Sequence, residues 1–258
     1  MKHITLLLLL FCSIGYGQTV IELNGETDPK FAADSSKTLH WADTTTKIAT
    51  QDDILNPDSI HIGGKVNYVT IDSVNGLRMF GNSTVWDDVT VSALSLAGGV
   101  QAPSLRALTG GILMQAFNYQ TANDIVYGQV QFPHAWIYND SIEVHFHCAI
   151  EATSSASDVV VVDFEYSWSD IGDVFPTSDT IQTNIDVSGW TAKQHKLVEV
   201  GWIRGTGLTL SSVLMFRIER RRDLASDTYD SANQWWHLLD VDFHIRKNKG
   251  GSNNETSN

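Results

Sequence analysis

His145 and His147 stand two residues apart, with Glu143 before them and Glu151 after. In an extended chain alternate side chains share a face, so both imidazoles and both carboxylates project to one side. Two imidazoles and a carboxylate on neighbouring strand positions form a facial donor set for a divalent metal ion. The candidate ligands are His145, His147 and Glu151, in the spacing H-x-H-x3-E. Asp240, Asp242 and His244 add donors if the last strand pairs beside this one. Without a metal, the same residues make a polar, hydrogen-bonded strand face of the kind that lines a subunit contact.

H-x-H-x3-E is similar to the first half of the cupin metal motif. The glycines that flank that motif are missing, and so is a second half with Pro-x-Gly and a later His. A second constellation is aromatic. Trp190, Trp235 and Trp236, with Trp202 and Trp168, are candidates for a glycan-stacking platform, although tryptophans in β proteins more often fill cores or interfaces. Arg217, Arg220, Arg221 and Arg222 form the one basic cluster, and in so acidic a chain they are expected to pair with carboxylates. G-x-S-x-G, H-E-x-x-H and a phosphate-binding glycine loop are all absent, which counts against an enzyme.

The elements that must position these residues are strands. From Glu143 to Glu151, Val144, Phe146, Cys148 and Ile150 alternate with the polar set, the signature of a strand with one face in a core. Val159–Trp168 and Val241–Ile245 alternate in the same way. Further strands are expected over 85–91, Ile112–Phe117, Ile125–Phe132, Lys196–Trp202, Ser212–Arg220 and Trp235–Arg246. Residues 169–195 read as a long excursion, and the one hint of helical period, near Leu105–Met114, is broken by Gly110-Gly111. The pattern predicts an all-β fold: a two-sheet, jelly-roll-like sandwich over 84–246. Before it, residues 18–83 form a small hairpin-rich appendage for attachment, with short strands at Thr45–Thr50, Lys65–Ile71 and Leu77–Phe80 and an Asn75-Gly76 turn. It has too few large apolar residues for a core of its own. The Gly/Ser/Asn-rich tail, 247–258, is expected to be disordered.

Composition narrows the partners. Asp and Glu number 30 against 17 Lys and Arg, a net charge of −13, which argues against a nucleic-acid partner because phosphate contacts need cations. Lys2 and His3 precede an apolar run, Ile4–Cys12, and Gly15-Tyr16-Gly17 offers a small-x-small cleavage site, so 1–17 read as a signal peptide. The run is too short for a membrane span. Cleavage would leave Cys148 alone on the apolar face of its strand, with no internal disulfide.

The motifs TVWDDVTV, QFPHAWIYNDSIEVHFHCAIE, VVDFEYSWSDIG, GTGLTLSSVLMFRIER and LLDVDFHIR follow one another between residues 84 and 246. In that order they resemble a family of tailed-phage and prophage structural proteins, with Trp86, Asp87, His134, His145, His147, Asp242 and His244 at motif positions. The resemblance implies a virion-associated β-sandwich, a trimeric head- or tail-fibre or decoration component attached through its N-terminal region. Its implied partners are copies of itself and other virion proteins, and it carries over no catalytic residues. Phage structural proteins normally assemble in the cytoplasm without a signal peptide, so the resemblance points to the virion and the apolar start to export.

Three functions compete. The leading one is a non-enzymatic phage or prophage structural protein, with no cofactor. The alternative is a secreted carbohydrate-binding module with a surface glycan as partner. The third is a cupin-like metalloprotein holding a divalent ion on His145, His147 and Glu151.

Overall fold

The computed structural model describes residues 59–72, 76–120 and 123–251. The expected signal peptide, the strand at Thr45–Thr50, Asn75 of the hairpin turn and residues 252–258 of the tail lie outside the described residues. The described residues form fourteen strands: β1 (Ser59–Gly63), β2 (Tyr68–Asp72), β3 (Gly76–Phe80), β4 (Val85–Ser92), β5 (Ala97–Gly98), β6 (Ser104–Thr109), β7 (Ile112–Phe117), β8 (Ile125–Gln131), β9 (Ile142–Ile150), β10 (Val159–Ser169), β11 (Asp179–Asp186), β12 (Lys196–Ile203), β13 (Val213–Arg220) and β14 (Trp236–Lys247). Among the described residues there is no α-helix, and none long and apolar enough to cross a membrane.

The main body is a jelly-roll-like sandwich of two antiparallel sheets. One runs β11-β10-β13-β8-β5 and the other β12-β9-β14-β7-β6, with β4 also paired to β14. Strand β14 is long enough to be shared: its start pairs with β7, and its remainder pairs with β4, while β9 runs along its other edge. The inner faces carry the apolar half of each alternation. Val144, Phe146, Cys148 and Ile150 of β9 and Val241, Phe243 and Ile245 of β14 face Val160, Val162 and Phe164 of β10 and Leu214, Phe216 and Ile218 of β13. Phe243 bridges the sheets, with ring centroids 5.5 Å from Phe216 and 6.3 Å from Phe164. Cys148 is fully buried, and burial pushes its thiol up to about 12, so it packs as a small apolar side chain.

Two departures from the expected strands have local reasons. The region near Leu105–Met114 is the β6–β7 hairpin, because Gly110, at φ 53°, turns the chain where a helix would have to continue. The excursion 169–195 contains β11, an edge strand whose inward positions, Ile181, Thr183 and Ile185, give only a weak apolar alternation.

The basic cluster does pair with carboxylates. Arg220 and Asp227 are both fully buried and joined by two 3.0 Å bonds from Nε and Nη2. Arg222 reaches Asp227 at 2.7 Å, Arg217 reaches Glu165 at 2.8 Å, and Arg221 bonds Asp163 and Asp223.

The appendage is the meander β1-β2-β3. Tyr68 stacks between His61 and Phe80, at 4.3 and 4.4 Å. None of its described side chains is buried. It meets the sandwich through the end of the chain: the Met79 amide donates to Asn248 O at 2.6 Å, and Arg78 pairs with Lys249.

Candidate functional site

The outer face of the β12-β9-β14-β4 region gathers the polar residues singled out in the sequence. In β9 the alternation sends Glu143, His145 and His147 outward. In β14 a bulge between Leu238 and Asp240 shifts the parity of the strand. Before it, Trp236 and Leu238 point to the core; after it, Val241, Phe243 and Ile245 do, which leaves Asp242 and His244 outward. Register then sets Asp242 opposite His145 and His244 opposite Glu143, with Asp88 of β4 beyond His244. A second bulge, between Glu199 and Gly201 of β12, turns Ile203 inward and Trp202 outward beside Glu143. One face of a sheet therefore owes its composition to two single-residue insertions.

Each imidazole on this face has a carboxylate. His145 Nε2 lies 3.3 Å from Glu143 Oε2, His147 Nε2 2.8 Å from Asp242 Oδ2, and His244 Nδ1 3.6 Å from Asp88 Oδ1. The other ring nitrogen of His147 is 2.7 Å from Nε2 of His195, a residue that no motif or spacing singles out. Trp86 covers His244 edge-on, its centroid 4.9 Å away, and touches Trp202 at 6.2 Å. These two indoles are 50% and 53% exposed, whereas His145 is only 8% exposed and Asp242 7%. Within this cluster two buried atoms have no hydrogen-bond partner: His145 Nε2, whose approach to Glu143 lacks hydrogen-bond geometry, and Asp242 Oδ1.

The trio His145, His147 and Glu151 is not brought together. Along a strand four residues span about 13 Å, so Glu151 cannot reach the ion that His147 would hold. It is bound instead to Arg106 through two 2.7 Å hydrogen bonds, and that guanidinium holds its carboxyl below the usual range. His237 sits 3.5 Å from Glu151, fully buried, and burial lowers its pKa. The donor atoms that do converge among the described residues belong to Glu143, His145 and His244, all within 4.8 Å of one another.

The expected glycan platform of Trp190, Trp235 and Trp236 does not form either. Trp236 is fully buried against Phe117 and Phe146, since its parity in β14 points it to the core. Trp235 is half-buried under Arg106, 4.4 Å from its ring, and Trp190 is half-buried beside Lys196 at 5.4 Å. Of the motif positions, Trp86, His145, His147, Asp242 and His244 lie on the outer face of β4, β9 and β14, whereas Asp87 has the opposite parity in β4 and pairs with Lys247 at 2.5 Å. His134 lies elsewhere, its Nε2 2.9 Å from Ser211 Oγ.

No protein-family model matches the chain, and no curated protein matches it in sequence. Solved structures resemble it only distantly. The VP2 subviral particle of infectious bursal disease virus is 9% identical, with a TM-score of 0.37 over 72% of this chain and 43% of that one. The GH26-CBM35 β-(1,4)-mannanase of Podospora anserina is 8% identical, at 0.31 over 60% of this chain and 27% of the mannanase. TmCBM61 in complex with β-1,4-galactotriose is 11% identical, at 0.28 over 64% and 88%. Likenesses this low leave the chain's function to its own residues.

Proposed function

We propose that the chain is a non-enzymatic structural protein that works as a homo-oligomer, a fibre or decoration component of a phage or prophage particle. One observation supports the oligomer above all. The β1-β2-β3 meander leaves Ile62, Ile71 and Leu77 exposed and buries none of its described side chains. A three-stranded sheet without a buried face does not sustain itself in water, so this one needs cover from another copy or a neighbouring particle protein. The particle assignment rests on the ordered motif series and on five of its positions, Trp86, His145, His147, Asp242 and His244, sharing the outer face. Sedimentation velocity on the full chain tests the oligomer: a discrete assembly is expected, and Ile71→Asp/Leu77→Asp should reduce it to a monomer with unchanged far-ultraviolet circular dichroism. A monomeric unmodified protein sinks the oligomer. Mass spectrometry of purified particles tests the location, and consistent absence of the chain from them sinks that.

A carbohydrate-binding role is the second reading, carried by the exposed pair Trp86 and Trp202. Their planes are inclined at 66°, so they offer a corner and not a flat two-ring platform. A glycan array with no retention would remove this reading.

A further inference from the structure

We propose that the outer face of the sandwich carries a divalent transition-metal site built from Glu143, His145 and His244, with Trp86 and Trp202 over its open side. The site is distinct from the H-x-H-x3-E reading, of which it keeps only His145.

The argument starts from what is left over. In this cluster His145 is 92% removed from solvent, yet its Nε2 has no hydrogen-bond partner. Leaving a buried ring nitrogen unpaired costs as much as a lost hydrogen bond, and a metal ion would supply the missing partner. Glu143 Oε2 is already 3.3 Å from that nitrogen, and His244 brings the third donor within 4.8 Å of both. Ligands on a tetrahedral ion sit about 3.3 Å apart, so closing the site takes only small side-chain rotations.

The neighbouring pair is differently placed. Both nitrogens of His147 are occupied, by Asp242 at 2.8 Å and His195 at 2.7 Å, which makes it a poorer ligand. Asp88, 3.6 Å from His244 Nδ1, is positioned either to orient that ring or to become a fourth ligand. The donor set fixes the class of ion. Two imidazoles and one carboxylate suit Zn2+, Co2+ or Ni2+, whereas Mg2+ and Ca2+ call for oxygen donors throughout. Three protein ligands leave a coordination position open, on the side where the two indoles stand.

The test uses the full chain, stripped with a chelator and titrated with Zn2+ by calorimetry and with Co2+ by visible absorption. One ion per chain, saturating in the micromolar range and not displaced by excess Mg2+, is expected. His145→Gln/His244→Gln should weaken binding at least a hundredfold, and Glu143→Gln about tenfold. Glu151→Gln and His147→Gln/His195→Gln should leave it unchanged. Absence of saturable binding to the unmodified chain overturns the proposal. So does binding that survives His145→Gln/His244→Gln, or binding lost in Glu151→Gln or in His147→Gln/His195→Gln. Should the double histidine variant fail to fold, Glu143→Gln decides alone, and unchanged affinity there overturns the site.

Discussion

Trp86 and Trp202 touch at 6.2 Å although they stand on β4 and β12, which are separated in the sheet by β14 and β9. Neighbouring strands are about 4.8 Å apart, so the two backbones are roughly 14 Å from each other and the indoles must lean inward to meet. In doing so they roof the row formed by Glu143 and His244. Trp86 stands edge-on to His244, whose own ring lies 5.4 Å from that of the buried His145.

The first prediction follows from that roof. Trp86→Ala and Trp202→Ala should each cost little stability, about 1 kcal/mol, because half of each ring is already in water. A double-mutant cycle in urea should show a coupling of about 0.5–1.5 kcal/mol, the range for an edge-on aromatic pair. Diethyl pyrocarbonate should modify His244, which Trp86 covers edge-on, faster in Trp86→Ala than in the parent. Additive losses with unchanged His244 reactivity would show that the roof has no cohesion.

A second prediction separates the buried arginine from its neighbours. Arg220 serves Asp227 bidentately and donates to the carbonyls of Phe117, Gln234 and Tyr229. Removing it leaves the buried Asp227 paired with Arg222 and strands three buried carbonyls, so Arg220→Ala should cost about 3–5 kcal/mol. Arg217, a third exposed and paired with Glu165 and Glu219, should cost under about 1 kcal/mol on the same change. Denaturant midpoints of the two variants give the comparison; equal losses would contradict this account.

The sandwich was legible because its central strands each bury one face. Val144 to Ile150 and Val241 to Ile245 alternate so cleanly that strand, face and core follow from the residues. Strand β11 escaped notice because, at an edge, two isoleucines and a threonine suffice on its inward face. The site was half legible. That His145 and His147 share a face follows from period two, and the pairing of β14 with β9 meets the condition under which His244 adds a donor, but spacing along one strand wrongly points to Glu151. Recruiting His244 beside Glu143 depends on the β9–β14 register and on the bulge at Leu239, and neither is written in local spacing. The inward position of Trp236 is hidden for a related reason, since the parity of β14 before its bulge cannot be read from the alternation after it.

Gly128 yields a third prediction. It lies within β8 opposite Phe216, and a Cβ there would stand 2.4 Å from Phe216 Cζ and 2.6 Å from Leu96 Cδ2. Gly128→Ala should therefore destabilise by about 1–3 kcal/mol through overpacking, despite the usual advantage of alanine over glycine in a strand. Phe216→Leu in the same chain should recover part of that loss. A melting temperature for Gly128→Ala equal to the parent's would mean that Phe216 swings aside freely.

The last prediction concerns Asp124, which is 6% exposed just before β8. Burial pushes its carboxyl up to about 6, against the opposing pull of the Asn118 amide that donates to it and of the Arg220 charge. In the unfolded chain the same group titrates near 3.8. Between those values the folded protein holds a proton that the unfolded chain has released, so its contribution to stability falls as pH rises from about 4 to about 6 and is constant above. The shift corresponds to about 3 kcal/mol at most. His237, depressed by burial, acts in the opposite direction below its ordinary value, as do Asp87 and Glu151, held down by Lys247 and Arg106, at more acid pH. The total curve therefore mixes signs, and the difference between parent and Asp124→Asn isolates the one group. Asparagine keeps the acceptor for the Asn118 amide and cannot ionise. Relative to the parent, Asp124→Asn should gain stability steadily from pH 4 to pH 6 and keep that gain at pH 7, as read from urea midpoints across the range. A difference that is flat, or that falls with pH, would show that the Asp124 carboxylate is solvated in the fold.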